Sequence, residues 1–290
     1  PRNWDAWDVE EDYADRGDEL TTIDSIDLVE TGPHRAAIRV VKRYRHSTVT
    51  QTYSLTANGR RLDIETELDW HDRRVFLRAL TPADIHASEA TFECAYGVVR
   101  WPTHTNTSWD QAKFEVPGHR FADLGEPGFG LALLNDAKYG HSARGNTLGL
   151  SLVRSPVYPD LLADEGKQNF TYALMPHAGS WDEGGVLAEA EDLNQALLVA
   201  EASGLAAGVT APLQVAGIPA AFSALKPAED GNGLVLRVYE PAGRRGDFSV
   251  AVPQGWAVGQ AIDILEEPRE RGPGAALRPF EVRSWRLSRG

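Results

Sequence analysis

The stretch LDIETELDW, from Leu62 to Trp70, constrains this chain more than any other. Leu62, Ile64, Thr66, Leu68 and Trp70 fall on one side of an extended backbone, and Asp63, Glu65, Glu67 and Asp69 on the other. Only a strand, whose side chains point alternately to opposite faces, turns that pattern into one apolar and one charged surface. The same period runs through DSIDLVE, HRAAIRVVKRYRH and STVTQTYSLTANG within residues 19–80, which predicts an antiparallel meander. The Asn58-Gly59 pair between two alternating runs predicts a hairpin turn, because both residues tolerate the positive φ that tight turns need.

Further strands are predicted in RRVFLRAL, ATFECAYGVVRW, AKFEV, RFADL, FGLALLND, NTLGLSLV and NFTYALMP, separated by Gly, Pro, Asn and Asp. Helical spacing is confined to residues 181–202, where Ala, Leu and Glu recur at i, i+3 and i+4, so a helix of two or three turns is predicted to begin near Gly185. Residues 204–220, rich in small side chains and carrying two prolines, read as a connection. Beyond it, FSALKPAEDGNGLVLRVYEPAG, GDFSVAVP, AVGQAIDILEEP and LRPFEVRSWRLSRG give a second set of short strands with turns near Gly231, Gly246 and Gly272, the spacing of a small β-sandwich. The expected class is all-β with one short helix, a large unit over residues 1–205 followed by a small one over 206–290.

Composition narrows the partners. With 42 Asp and Glu against 29 Lys and Arg, the chain carries a formal charge of −13 and repels phosphate backbones and acidic membrane surfaces, so nucleic acid and membrane are not expected partners and a neutral ligand is. No run reaches the 18 or so apolar residues of a membrane span, and a soluble protein is expected. A single cysteine, Cys94, excludes an internal disulfide framework. Arginine greatly outnumbers lysine, which reads as a compositional bias. The opening PRNWDAWDVEEDY has neither an initiator Met nor a signal-peptide pattern. It reads as the interior of a longer polypeptide, and a cytoplasmic location is expected.

The chemistry-bearing residues are scattered. The eight His residues show no metal-ligand spacing, and no Gly-x-Ser-x-Gly elbow, phosphate loop or dinucleotide fingerprint is present. Asp110, Glu115, Asp123, Glu126, Asp136 and Asp160 are plentiful carboxylates, but a glycosidase pair is defined by separation in space. The densest stretch is RWPTHTNTSWD, residues 100–110. Trp101 or Trp109 could stack on a sugar while His104 or Asn106 bonds its hydroxyls; alternatively, both rings are buried in the sandwich while Thr105, Asn106, Thr107 and Ser108 bond nearby backbone. The second is favoured, because turn formers flank both rings. His104 with Glu115 or Asp110 could also be assembled into an epimerase acid and base, though no motif supports it.

Three segments, RWPTHTNTSWDQAKFEVPGHRFADL, GFGLALLNDAKYGH and LSLVRSPVYPD, together with NFTYALMPHAG, LVLRVYE and RPFEVRSWRL, resemble the C-terminal region of family 38 glycoside hydrolases, the α-mannosidases. The resemblance covers nearly the whole chain. It implies a large supersandwich of the galactose mutarotase-like kind followed by a small β-sandwich. It also implies that zinc, its ligands and the aspartate nucleophile of a retaining mechanism belong to an N-terminal catalytic barrel that nothing here matches. On that reading no catalytic or metal-ligating residue lies in this chain, which alone is inactive. It packs on its own barrel, meets mannose-containing oligosaccharides and, with that surface uncovered, could form homo-oligomers.

The resemblance makes Arg154 the leading cleft residue, since a guanidinium can donate paired hydrogen bonds to vicinal hydroxyls or orient an acid. The other reading ties Arg154 to Asp160 or Glu165. Asn135, Asp136 and Tyr139, with Lys138, form a second group at a strand end, or simply a turn. His104, Asn106 and Trp109 complete the set. A stand-alone carbohydrate-binding module remains the alternative to a mannosidase portion.

Overall fold

The computed structural model describes residues 6–195, 197–199, 201, 204, 213–269 and 276–290. Two compact units divide the chain: Pro1–Glu93 with Val99–Leu197, and Cys94–Val98 with Leu198–Gly290. Both are built almost entirely of antiparallel strands.

In the first unit the meander forms as the alternation requires. Strands β1 (Ile23–Thr31), β2 (Arg35–Tyr44), β3 (Ser47–Thr56) and β4 (Leu62–Trp70) pair in succession. Ile64, Thr66, Leu68 and Trp70 are buried while Glu65, Glu67 and Asp69 face outward. Asn58 takes φ 64° in the β3–β4 turn, the left-handed conformation its residue type tolerates. Strands β5 (Leu77–Pro82), β6 (Glu89–Cys94) and β7 (Gly97–Pro102) follow, then the one-turn helix α1 (Ser108–Gln111) and the short β8 (Val116–Pro117). Next come β9 (Phe121–Glu126), β10 (Phe129–Asn135), β11 (Gly140–Arg144), β12 (Thr147–Val153), β13 (Gly166–Ala178) and helix α2 (Val186–Asn194).

Nine of these strands make one sheet in the order β1-β2-β3-β4-β13-β10-β9-β6-β7, and four make a second, β5-β12-β11-β8. The core lies between them: Ile64, Leu68, Trp70, Leu124, Leu133 and Phe170 from the large sheet meet Leu77, Val116, Leu148, Leu150 and Leu152 from the small one. Each fully buried side chain of this size contributes about 1.5–3 kcal/mol. The smaller sheet leaves part of β1–β3 uncovered, so Ile26, Leu28 and Ile38 remain exposed although they share the core-facing side.

Two expectations about local structure are corrected. AKFEV contributes only Val116 to a strand, because Thr107 caps a helical turn just before it: its Oγ1 accepts from the Asp110 amide at 3.1 Å. Residues 204–220 are more than a connection, since β14 (Gln214–Gly217) is a strand; residues 205–212 lie outside the described residues. Helix α2 starts where expected, with Gly185 at φ 77° as its N-cap and Val186 and Ala190 buried.

The second unit contains β14, β15 (Ala221–Pro227), β16 (Leu234–Tyr239), β17 (Gly246–Ala251), β18 (Trp256–Ile262), β19 (Ala276–Leu277) and β20 (Val282–Arg289). They form a three-stranded sheet, β14-β17-β19, and a four-stranded one, β15-β16-β20-β18. Leu236, Val238, Phe248, Leu277, Trp285 and Leu287 fill the space between. Gly231 turns the chain at φ 78° and Gly246 opens β17; Gly272 lies outside the described residues.

Candidate functional site

A cavity of about 600 Å³ opens in the first unit beside the smaller sheet, where the segment around Tyr13 crosses β5 and the ends of β11 and β12. Its walls include Tyr13, Tyr44, Trp70, Phe76, Arg78 and Arg154. The aromatic members are ordered against one another: Tyr44 stacks parallel to Trp70 at 6.2 Å, and Tyr13 meets Phe76 at 5.5 Å. Phe76 carries two cations, the guanidiniums of Arg78 and Arg154, each 5.3 Å from its ring centre.

Arg154 follows directly on β12, and Asp164 fixes the turn it enters. One carboxylate oxygen of Asp164 accepts from the amides of Arg154 at 3.0 Å and Ser155 at 2.9 Å. Ser155 itself is buried in a left-handed conformation, φ 49°, with its hydroxyl on the Trp70 indole nitrogen and its carbonyl on the Arg74 amide. The Arg154 side chain donates to the Asp8 carbonyl at 3.0 Å. Burial lowers its pKa, with Asp164 acting the other way. Neither proposed turn partner is engaged: Glu165 pairs with Arg73 at 2.9 Å and Asp160 accepts from the Leu162 amide.

Arg78 lies deeper, on β5. It donates to the Tyr13 hydroxyl and, at 2.8 Å, to Ser142 Oγ, while its Nε is buried with no hydrogen-bond partner among the described residues. Beside it, Glu115 accepts from the Ser151 hydroxyl, and burial pushes its pKa up to about 7 against the pull of Arg78. His141, on β11 opposite Val116 of β8 and against Phe92, is fully buried. Desolvation lowers its pKa to about 4.

The remaining sequence-derived residues do not line this cavity. Asn135 is buried at the end of β10 and acts as a bracket: its amide donates to the His119 carbonyl at 2.8 Å and its Oδ1 accepts from the Lys138 amide at 2.7 Å. Asp136 accepts from the Thr171 amide at 2.9 Å, with its other oxygen buried and without a hydrogen-bond partner among the described residues. Lys138 sits 4.3 Å over Phe170, its pKa lowered by burial. Tyr139 is exposed, edge-on to His119.

In the RWPTHTNTSWD stretch, Trp101 packs on the core but Trp109 is 80% exposed, which corrects the expectation that both rings are buried. The cause is α1, which carries Trp109 on a turn too short to bury it. His104 and Asn106 are also exposed, joined by a 3.4 Å bond from the Asn106 amide to His104 Nδ1. Asp110 lies 3.7 Å from His104, its pKa lowered chiefly by the hydrogen bond from Thr107. Among the described residues no group of three or more His, Cys, Asp and Glu side chains could hold a metal ion, and no helix is long and apolar enough to cross a membrane.

Residues 1–161 match the family model described as "Glycosyl hydrolases family 38 C-terminal domain", and residues 220–285 match "Glycosyl hydrolases family 38 C-terminal beta sandwich domain". Among curated relatives, Alpha-mannosidase 2C1 of Homo sapiens is 39% identical over 94% of this chain, and Alpha-mannosidase G of Dictyostelium discoideum is 37% identical over 98%. The chain spans only 27% and 28% of their respective lengths. The crystal structure of an alpha-mannosidase from Enterococcus faecalis V583 superposes with a TM-score of 0.77 at 19% identity, covering 90% of this chain and 35% of that one.

Proposed function

The chain belongs to glycoside hydrolase family 38, in its C-terminal region, and from that premise we propose that it is the C-terminal portion of an α-mannosidase whose sugar cleft it completes. In this reading the whole enzyme removes terminal α-mannosyl residues from mannose-containing oligosaccharides by a retaining, zinc-dependent mechanism. The chemistry belongs to a catalytic barrel outside these 290 residues. Among the described residues no cluster of His, Cys, Asp and Glu side chains fits a zinc site.

The observation that carries the reading is the placement of Arg154. Its backbone is clamped by Asp164, and its guanidinium is braced on Phe76 at the cavity wall. A pre-oriented guanidinium can donate two parallel hydrogen bonds to vicinal hydroxyls without a large entropic cost on binding. In the whole enzyme, Arg154→Ala should lower kcat/KM for an α-mannoside by tenfold or more, about 1.4 kcal/mol. The melting temperature should stay put, since the lost contacts are one carbonyl bond and one ring contact. An unchanged rate would make Arg154 a structural residue.

A second reading, a stand-alone carbohydrate-binding module, is favoured by the exposed Trp109 beside His104 and Asn106. It requires mannose or short mannosides to give saturable heat with this chain, lost in Trp109→Ala. Absence of heat removes it.

A further inference from the structure

The arginines of the first unit divide into two kinds. Among its described residues, Arg35, Arg61, Arg78, Arg120, Arg144 and Arg154 are half-buried. Arg35 pairs with Glu30 and Glu65, Arg61 with Asp63 and Glu189, and Arg120 with Glu93 and Glu191. The other three, Arg78, Arg144 and Arg154, have no carboxylate in ion-pair contact among the described residues, and all three line this cavity, Arg144 at its border with a more open one that Glu11 and Asp15 also line. Arg45 and Arg74, both exposed, add to the same rim.

The carboxylates nearby do not restore the balance. Asp12 and Glu10 face Arg16, Asp164 acts on Arg154 while one of its oxygens accepts from two backbone amides, and Asp18 is exposed at the rim. Glu115, beside Arg78, holds its proton up to about pH 7. A guanidinium does not deprotonate, and half-burying several together with fewer counter-charges than cations is costly. Two of these cations share one ring, Phe76, which keeps them near each other. In a chain of net charge −13, this is a local field of the opposite sign, and the overall charge does not describe it.

We infer that this cavity binds a small oxyanion, a phosphate- or carboxylate-bearing molecule, between Arg78, Arg144 and Arg154. The guanidinium forks match the spacing of two oxygens on either group, and Ser142, already accepting from Arg78, lies on the same wall. The volume of about 600 Å³ leaves room for a ligand larger than the anion alone. The inference shares Arg154 and its cavity with the mannosidase reading but is tested apart from it, because anion binding by this chain alone is read without turnover.

Calorimetry on the 290-residue chain at pH 7 and low ionic strength, with sodium phosphate and sodium succinate as probes and sodium chloride at matched ionic strength as the blank, tests it. Saturable heat is expected with at least one probe, weakening as salt is added; phosphate alone or succinate alone assigns the class. Arg144→Gln and Arg154→Gln should each weaken binding about tenfold, and Arg78→Gln by more. Circular dichroism melts check folding, and should Arg78→Gln unfold, the Arg144 and Arg154 variants decide. No saturable heat from either probe up to about 20 mM overturns the site, and so does heat unchanged in both of those variants.

Discussion

Replacing Glu115 by Gln separates the cost of a buried charge from everything else the side chain does. Glu115 precedes β8 and accepts a hydrogen bond from the Ser151 hydroxyl, while its carboxylate lies against Gly140, where an added Cβ would come within 2.8 Å of Oε1. Burial raises its pKa from the ordinary 4.5 to about 7, the nearby Arg78 charge offsetting part of the penalty. The folded protein therefore holds this proton more tightly than the unfolded chain does. Its contribution is fully present below about pH 4.5 and is lost as pH rises to about 7, above which both states are ionised. At about 1.4 kcal/mol for each tenfold change in proton affinity, the loss is about 3 kcal/mol. A glutamine keeps an oxygen for Ser151 and cannot ionise. Denaturant unfolding of the first unit should give Glu115→Gln a stability near that of the parent at pH 5 and about 3 kcal/mol above it at pH 8. A difference between the two proteins that is the same at both pH values refutes the reasoning.

Two other perturbations follow from buried groups. His141, neutral when folded with a pKa of about 4, contributes stability that is present above pH 6.5 and lost as pH falls toward 4, so His141→Leu should gain up to about 3 kcal/mol relative to the parent between pH 7 and pH 4. Thermal melts at the two pH values check it, and a constant difference contradicts it. Glu240 is fully buried in the second unit and accepts from three backbone amides, those of Ala242 at 2.9 Å, Gly243 at 2.8 Å and Phe280 at 3.0 Å. Glu240→Gln turns an N–H group toward these donors and should cost the second unit about 2–4 kcal/mol, leaving the unfolding of the first unit unmoved. A loss under about 0.5 kcal/mol would show that those three bonds do not carry that turn.

The strands of the meander could be read from the sequence because one face of β4 is buried and the other solvated, so burial writes itself into alternating residues. Asn58 announced its turn for a similar local reason. Where local chemistry competes with the strand pattern, the reading failed. Thr107 and Asp110 form a helix cap three residues apart, a signal present in TSWD but masked by the aromatic residues around it. Strand β14 has four exposed residues and pairs with β17, so it carries no apolar face to betray it.

The cavity was legible only at Arg154, and there only through a resemblance. Arg78, Ser142 and Tyr13 are 65, 64 and 101 residues from their respective partners Tyr13, Arg78 and the Phe114 carbonyl, and no local pattern records such contacts. The excess of arginine, which read as a compositional bias, hides a physical division among the half-buried arginines of the first unit, between those that meet carboxylates and those gathered at one cavity. Asn135 shows the converse. A polar residue at a strand end looks like a cleft residue until its donors and acceptor are found committed to the backbone.

The most direct test is turnover of a chromogenic α-mannoside by the 290-residue chain alone and by the same chain joined to a family 38 catalytic barrel, each with and without added zinc. The chain alone should be silent under both conditions, and the joined protein should hydrolyse the substrate. Turnover by the isolated chain above a mock purification would contradict the account, because the chemistry would then reside on residues here to which no catalytic role has been given.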